Sequence, residues 1–141
     1  MGVAKRHTAF AVVDGVFLSV HDRETPGDDE WQAVIDMVRD RDADIESALI
    51  FSDGGGPNAH QRKLYAREVA RSKSRPRAVV TASALARGIV TAISWLGPRM
   101  KAFSPDELPE ALDFLGITQA RWAPLLNEVA KFRLQLASTS S

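Results

Sequence analysis

Short apolar runs alternate with stretches of helical periodicity along this chain. Residues 8–13 and 16–21 are two such runs, and Asp14-Gly15 separates them. Asp-Gly between apolar runs signals a hairpin, because a type I′ turn needs positive φ at both central residues. Thr25-Pro26-Gly27-Asp28 follows and reads as a helix start, with Thr25 as N-cap and Pro26 at the first position. Trp31, Val34, Ile35 and Val38 recur at helical spacing, so one face of that helix is buried.

The run 48–51 is bounded by polar and turn residues and reads as a buried strand starting at Ser47. A helix is expected over about 58–72, with a thin stripe of Leu64, Tyr65 and Val69. Residues 77–82 are β-rich, and Ser83 can cap a helix over 84–96 that Gly97-Pro98 stops. That helix is apolar over most of its circumference, so it is either the most buried one or keeps an apolar side for a partner. A short strand over 100–103 precedes Ser104-Pro105-Asp106-Glu107, a capping box with proline in the first turn. Leu108, Ala111, Leu112 and Leu115 form the next stripe, up to Gly116. A last helix, capped by Thr118, carries Trp122, Leu125, Leu126, Val129, Phe132 and Leu136. It covers part of its own domain or serves a dimer or partner contact. The tail 138–141 is expected to be disordered.

The order is strand, strand, helix, strand, helix, strand, helix, strand, helix, helix. It predicts an α/β fold with one mixed, mainly parallel sheet of four to five strands, an N-terminal β-hairpin and helices packed against it. One domain over 1–141 is expected, with its core at about 8–116 and a C-terminal helical extension at about 118–137.

The stretch where chemistry concentrates is Ser52-Asp53-Gly54-Gly55-Gly56-Pro57-Asn58, directly after the strand 47–51. Strand, glycine-rich turn and helix N-terminus is where open α/β sheets place their sites. The turn could cradle an anion at the free N–H groups of a helix start. It matches neither the G-x-x-x-x-G-K-[ST] phosphate loop nor G-x-G-x-x-G. Thr81, Ser83, Arg87 and Arg99 belong to neighbouring elements and could face the same edge, so Ser52, Asp53, Asn58, Ser83 and Arg87 could share a small polar pocket. The alternative is that they are helix caps and solvated arginines. Asp53 and His60 could pair as acid and base beside Ser52, but no G-x-S-x-G elbow is present. His7, His21 and His60 lack metal-ligand spacing, and no cofactor is expected.

The element order, with a loop of special composition after the central strand, resembles the STAS or SpoIIAA-like (anti-sigma-factor antagonist-like) family over roughly residues 8–115. In that family the loop carries a phosphorylatable serine in an Asp-Ser-Ser-Gly type sequence. Here Ser52-Asp53 stands in reverse order and earlier, and glycine fills the acceptor position. The resemblance implies a non-enzymatic regulatory or adaptor module, of bacterial signalling type, binding a protein partner at that loop and the next helix. The alternative function is a small-ligand or anion-binding domain using Gly54, Gly55 and Gly56.

Composition narrows the class further. The chain of 141 residues has no cysteine, which excludes disulfide and thiolate chemistry. No run of about 18 apolar residues exists, and no apolar leader opens the chain, so a cytoplasmic protein is expected. The 18 basic and 18 acidic residues cancel, but unevenly. Acids crowd residues 22–46 and bases crowd 58–77, a split that could steer an acidic partner or weak homodimer formation. Nucleic-acid binding is not expected, since Tyr65 is the only aromatic in the basic segment.

Overall fold

The computed structural model describes residues 2–69, 75–95 and 98–139. One sheet of six strands organises the chain: β1 (Val3–Ala4), β2 (Thr8–Val13), β3 (Val16–His21), β4 (Ser47–Ser52), β5 (Arg77–Thr81) and β6 (Met100–Phe103). They lie side by side in that order. β1, β2 and β3 pair antiparallel, and β3, β4, β5 and β6 pair parallel. The mixed, mainly parallel α/β class is as expected from the pattern; the strand count is six because Val3–Ala4 adds an edge pairing to Ala9 and Phe10. Two residues are too few to show an alternation.

The hairpin joins β2 to β3 through Asp14 at φ 50° and Gly15 at φ 81°, the double positive φ of a type I′ turn. Five helices fill the intervals: α1 (Asp28–Asp40), α2 (Ala59–Val69), α3 (Ala84–Ser94), α4 (Leu108–Phe114) and α5 (Trp122–Thr139). The N-cap of α1 is Gly27 and not Thr25. The Glu30 carboxylate accepts the Gly27 N–H at 3.1 Å, while buried Pro26 stays in the extended approach and its carbonyl accepts from Gln61. Ser138 and Thr139 continue α5, contrary to the expected disordered tail; the Ser138 hydroxyl donates back to the Gln135 carbonyl at 2.9 Å. The expected end of the second helix at 72, the stop at Gly97 and residues 140–141 lie outside the described residues.

Two apolar layers form on the two faces of the sheet. On one, Leu18, Leu49 and Val80 meet Leu112 of α4 and Leu125 and Phe132 of α5. On the other, Phe10, Phe17 and Ala48 meet Trp31, Val34 and Val38 of α1, with Leu64 and Tyr65 of α2 at the margin. All six residues of β3 are buried, as expected of a strand covered on both sides. The thin stripe on α2 leaves it an outer helix. By contrast, α3 is not the most buried helix: Val90 is its one buried residue, and it rests on β5 and β6 with a broad apolar side in solvent.

Candidate functional site

At the carboxyl edge of the parallel strands a row of polar side chains crosses the sheet. Thr8 pairs with His21, His21 with Ser52, and Ser52 with Thr81, so cross-strand neighbours on four strands form one line. All four are buried. Alternation places them on one face, the face that α1 covers. The row is invisible to a reading of single strands, because each member is merely the terminal polar residue of an apolar run.

His21 sits in the middle of this row. Its Nε2 is 3.2 Å from the Ser19 hydroxyl, and its ring lies 6.2 Å from that of Trp31. Burial lowers the imidazole to about 4, against the opposing pull of the Asp22 and Glu30 carboxylates, so the ring is neutral near pH 7. Glu30 is itself buried, and its two oxygens are held by the backbone N–H groups of His7 at 2.8 Å and Gly27 at 3.1 Å. His7 contacts the Asp22 carboxylate through Nδ1 at 2.9 Å.

Directly beyond Ser52 the glycine turn closes on itself. The Ser52 hydroxyl donates to the Gly55 carbonyl and accepts the Gly54 N–H at 3.1 Å. The Gly55 N–H donates to the Asp22 carbonyl at 2.9 Å, and the Asp53 N–H to the His21 carbonyl at 3.1 Å. Gly54 has φ 125°, a conformation that L side chains rarely adopt. Gly55 is required for close approach: a Cβ there would press on the Asp22 and Glu24 carbonyl oxygens, the former at 2.5 Å. Ser52 and Gly55 therefore work inside the loop, while Asp53, Gly54 and Asn58 are exposed and Gly56 is half-buried.

Asn58 and Gln61 cap α2 reciprocally. Asn58 Oδ1 accepts the Gln61 N–H at 2.9 Å, and Gln61 Oε1 accepts the Asn58 N–H at 3.0 Å. The Gln61 side chain is 1% exposed, and its amide also donates to the Pro26 carbonyl at 2.9 Å and the Asp28 carboxylate at 3.0 Å. Its own carbonyl receives the Trp31 indole N–H at 2.7 Å. One glutamine thus locks the start of α2 to the start of α1. It was not among the expected residues, although the spacing Asn58-x-x-Gln61 is a capping-box signature.

The other expected neighbours do not reach the turn. Ser83 caps α3, accepting the Ala86 N–H at 3.1 Å, and Arg87 donates to the Thr81 carbonyl at 2.9 Å. Among the described residues no hydrogen bond or ion pair joins either to the turn, so these five polar residues are not bonded into one pocket. Arg99 lies at the opposite edge, where its carbonyl accepts the Arg77 N–H at the start of β6 and its guanidinium stacks over Phe114 at 5.8 Å. The reason is the crossover itself, for α3 carries the chain back to the amino ends of the strands. His60 is exposed on α2 and has no bond to Ser52 or Asp53, so no nucleophile–base pair forms there. Among the described residues no three or more potential metal ligands gather, and no helix is long and apolar enough to cross a membrane.

What the turn does present is the outward face of α2. His60, Lys63 and Arg67 are exposed on it, and among the described residues no ion pair to any of them is found. The acids of α1 lie on the neighbouring helix, and outside both helices Arg75 pairs with Asp42 at 2.9 Å. On the other side Arg133 of α5 stacks over Phe51 at 5.4 Å and reaches Asp53 at 3.5 Å.

No protein-family model matches the chain. No curated protein matches it either. Among solved structures, an uncharacterized DUF3478-family protein of Shewanella loihica PV-4 with a SpoIIAA-like fold is similar, with a TM-score of 0.58 and 17% identity. The match covers 82% of this chain and 98% of that one. With the strand order and crossovers described above, the fold of this chain is SpoIIAA-like, of the STAS type.

Proposed function

We propose that this protein is a non-enzymatic regulatory or adaptor module whose protein partner docks on the exposed part of the β4–α2 loop (Asp53, Gly54 and Asn58) and on the outward face of α2. One observation carries the reading. Four N–H groups of the turn and the helix start, those of Gly54, Gly55, Asn58 and Gln61, each bond within the protein. These bonds favour the turn as a mount for α2 over the turn as an anion cradle. The helix that it mounts exposes the cationic side chains of Lys63 and Arg67, a surface that suits an acidic patch on a partner.

The test is capture from cells of the source organism on immobilised protein, with the double variant Lys63→Glu/Arg67→Glu beside the wild type. Both residues are exposed, so melting curves should coincide. The reading expects a protein held by the wild type and lost by the variant. It falls if charge reversal leaves capture unchanged, or if phosphate or a nucleotide raises the melting midpoint of a protein that captures nothing.

A further inference from the structure

Surface helices of globular proteins turn their apolar side inward and their charges outward. α3 does the reverse. Leu85 is 77% exposed, Trp95 at its C-cap is 81% exposed, and Ile89 between them is 37% exposed. Gly88 and Ala92 are exposed on the same side, one helical turn apart. No charged side chain lies on this face. Thr91, also exposed there, has its hydroxyl donated to the Arg87 carbonyl at 2.9 Å. The helix's one cation, Arg87, is half-buried and tied to the Thr81 carbonyl. An uncharged apolar side of this extent on a surface helix marks an interaction face.

We propose that this face of α3 joins two copies of the chain about a two-fold axis, α3 against α3 and antiparallel. This inference is independent of the docking surface on α2. A two-fold interface brings a patch against itself, so the patch must be complementary to itself. The acidic face of α1 and the cationic face of α2 fail that condition, since each meets its own sign. The face of α3 meets it, because nothing on it is charged.

Shape agrees with charge. Leu85 and Trp95 stand ten residues apart, about 15 Å along a helix. Gly88 and Ala92 lie between them and allow two backbones to come close. In the antiparallel arrangement the Trp95 of one copy covers the Leu85 of the other at each end, and the Gly88 of one faces the Ala92 of the other at the centre.

A lipid surface fits less well. Helices that lie on membranes carry lysine and arginine around the apolar side. Here the neighbouring cations at and just before β6 turn elsewhere: Arg99 lies over Phe114 and Lys101 over Phe103, rings of the α4 and α5 layer. Two such faces bury on the order of 1,000 Å² in total, the lower bound for a specific interface, so the pair is weak and reversible.

Sedimentation equilibrium from about 10 μM to about 1 mM spans the range of such a dimer. Wild-type protein should rise from 15.4 kDa towards twice that mass. Leu85→Glu and Trp95→Glu should each weaken association by roughly tenfold or more, since each buries a charge in the contact. Raising salt from about 50 to about 500 mM should leave it unweakened, because no screened ion pair holds it. Leu85→Gln serves if a charge at that position lowers the melting midpoint. Any of three results overturns the proposal: a monomer at every concentration, association that these variants leave intact, or a dimer that salt dissolves. Monomeric protein that floats with phosphatidylcholine–phosphatidylserine vesicles and loses this with Trp95→Glu would overturn it too, assigning the face to lipid.

Discussion

A histidine at the end of an apolar run carries little information in a sequence, and His21 shows why its setting matters. Alternation along β3 puts it on the α1 side, register puts it between Thr8 and Ser52, and α1 lays Trp31 over it. Burial then holds its pKa at about 4, below the 6.5 of a solvated imidazole. Between those values the unfolded chain binds a proton that the folded one refuses, so stability rises with pH there. The contribution is complete above pH 6.5 and is lost as pH falls through 4. Lowering the pH from 7 to 5 should therefore cost about 2 kcal/mol through His21 alone. Urea denaturation at the two pH values measures it, with His21→Leu as the control that should remove most of the difference. An equal pH dependence in the variant would show that other groups cause it. Gly55 is the other position where setting decides. Glycine permits both a turn and a close approach, and at Gly55 the structure uses the second to let two backbones touch.

Elements whose signal is local were legible in the sequence. Asp14-Gly15 carries its own turn chemistry, and Ser104-Pro105-Asp106-Glu107 forms the expected box, with the Ser104 N–H donating to Glu107 at 2.9 Å. Strands β2 to β6 and the five helices follow from apolar periodicity in the same way, whereas β1 does not. What depends on contacts between distant segments was not legible. The start of α1 moved from Thr25 to Gly27 because Pro26 is engaged by Gln61, 35 positions away. The exposed side of α3 was undetermined for the same reason, since an apolar helix does not reveal how much sheet is left to cover it. Gln61 joins the two kinds of information: its capping spacing is local and its bonds to α1 are not. Gln61→Ala removes the cap and leaves the Pro26 carbonyl and the Asn58 N–H without partners. Denaturation should show a loss of about 3 kcal/mol. A loss under about 0.5 kcal/mol, the scatter of surface changes, would mean that the two helix starts are not locked together.

At the scale of the molecule, the charge split of the chain becomes two neighbouring helices of opposite sign on one face of the sheet. Acids and bases partly answer each other there, as Arg75 does with Asp42, and the surplus that stays exposed is the cationic face of α2. Hydrogen bonds of Ser52, Gly54 and Gly55 close the glycine turn in front of it, and the proposed docking surface is α2 with the exposed loop residues. The most direct test is an NMR titration of the ¹⁵N-labelled protein with inorganic phosphate to about 10 mM, well above what a helix N-terminal anion site needs to fill. The amide signals of Gly54, Gly55, Asn58 and Gln61 should keep their positions, because their protons are already committed. Saturable shifts gathered at the turn and at the Ala59 and His60 amides that open α2 would contradict the account and make the turn an anion site.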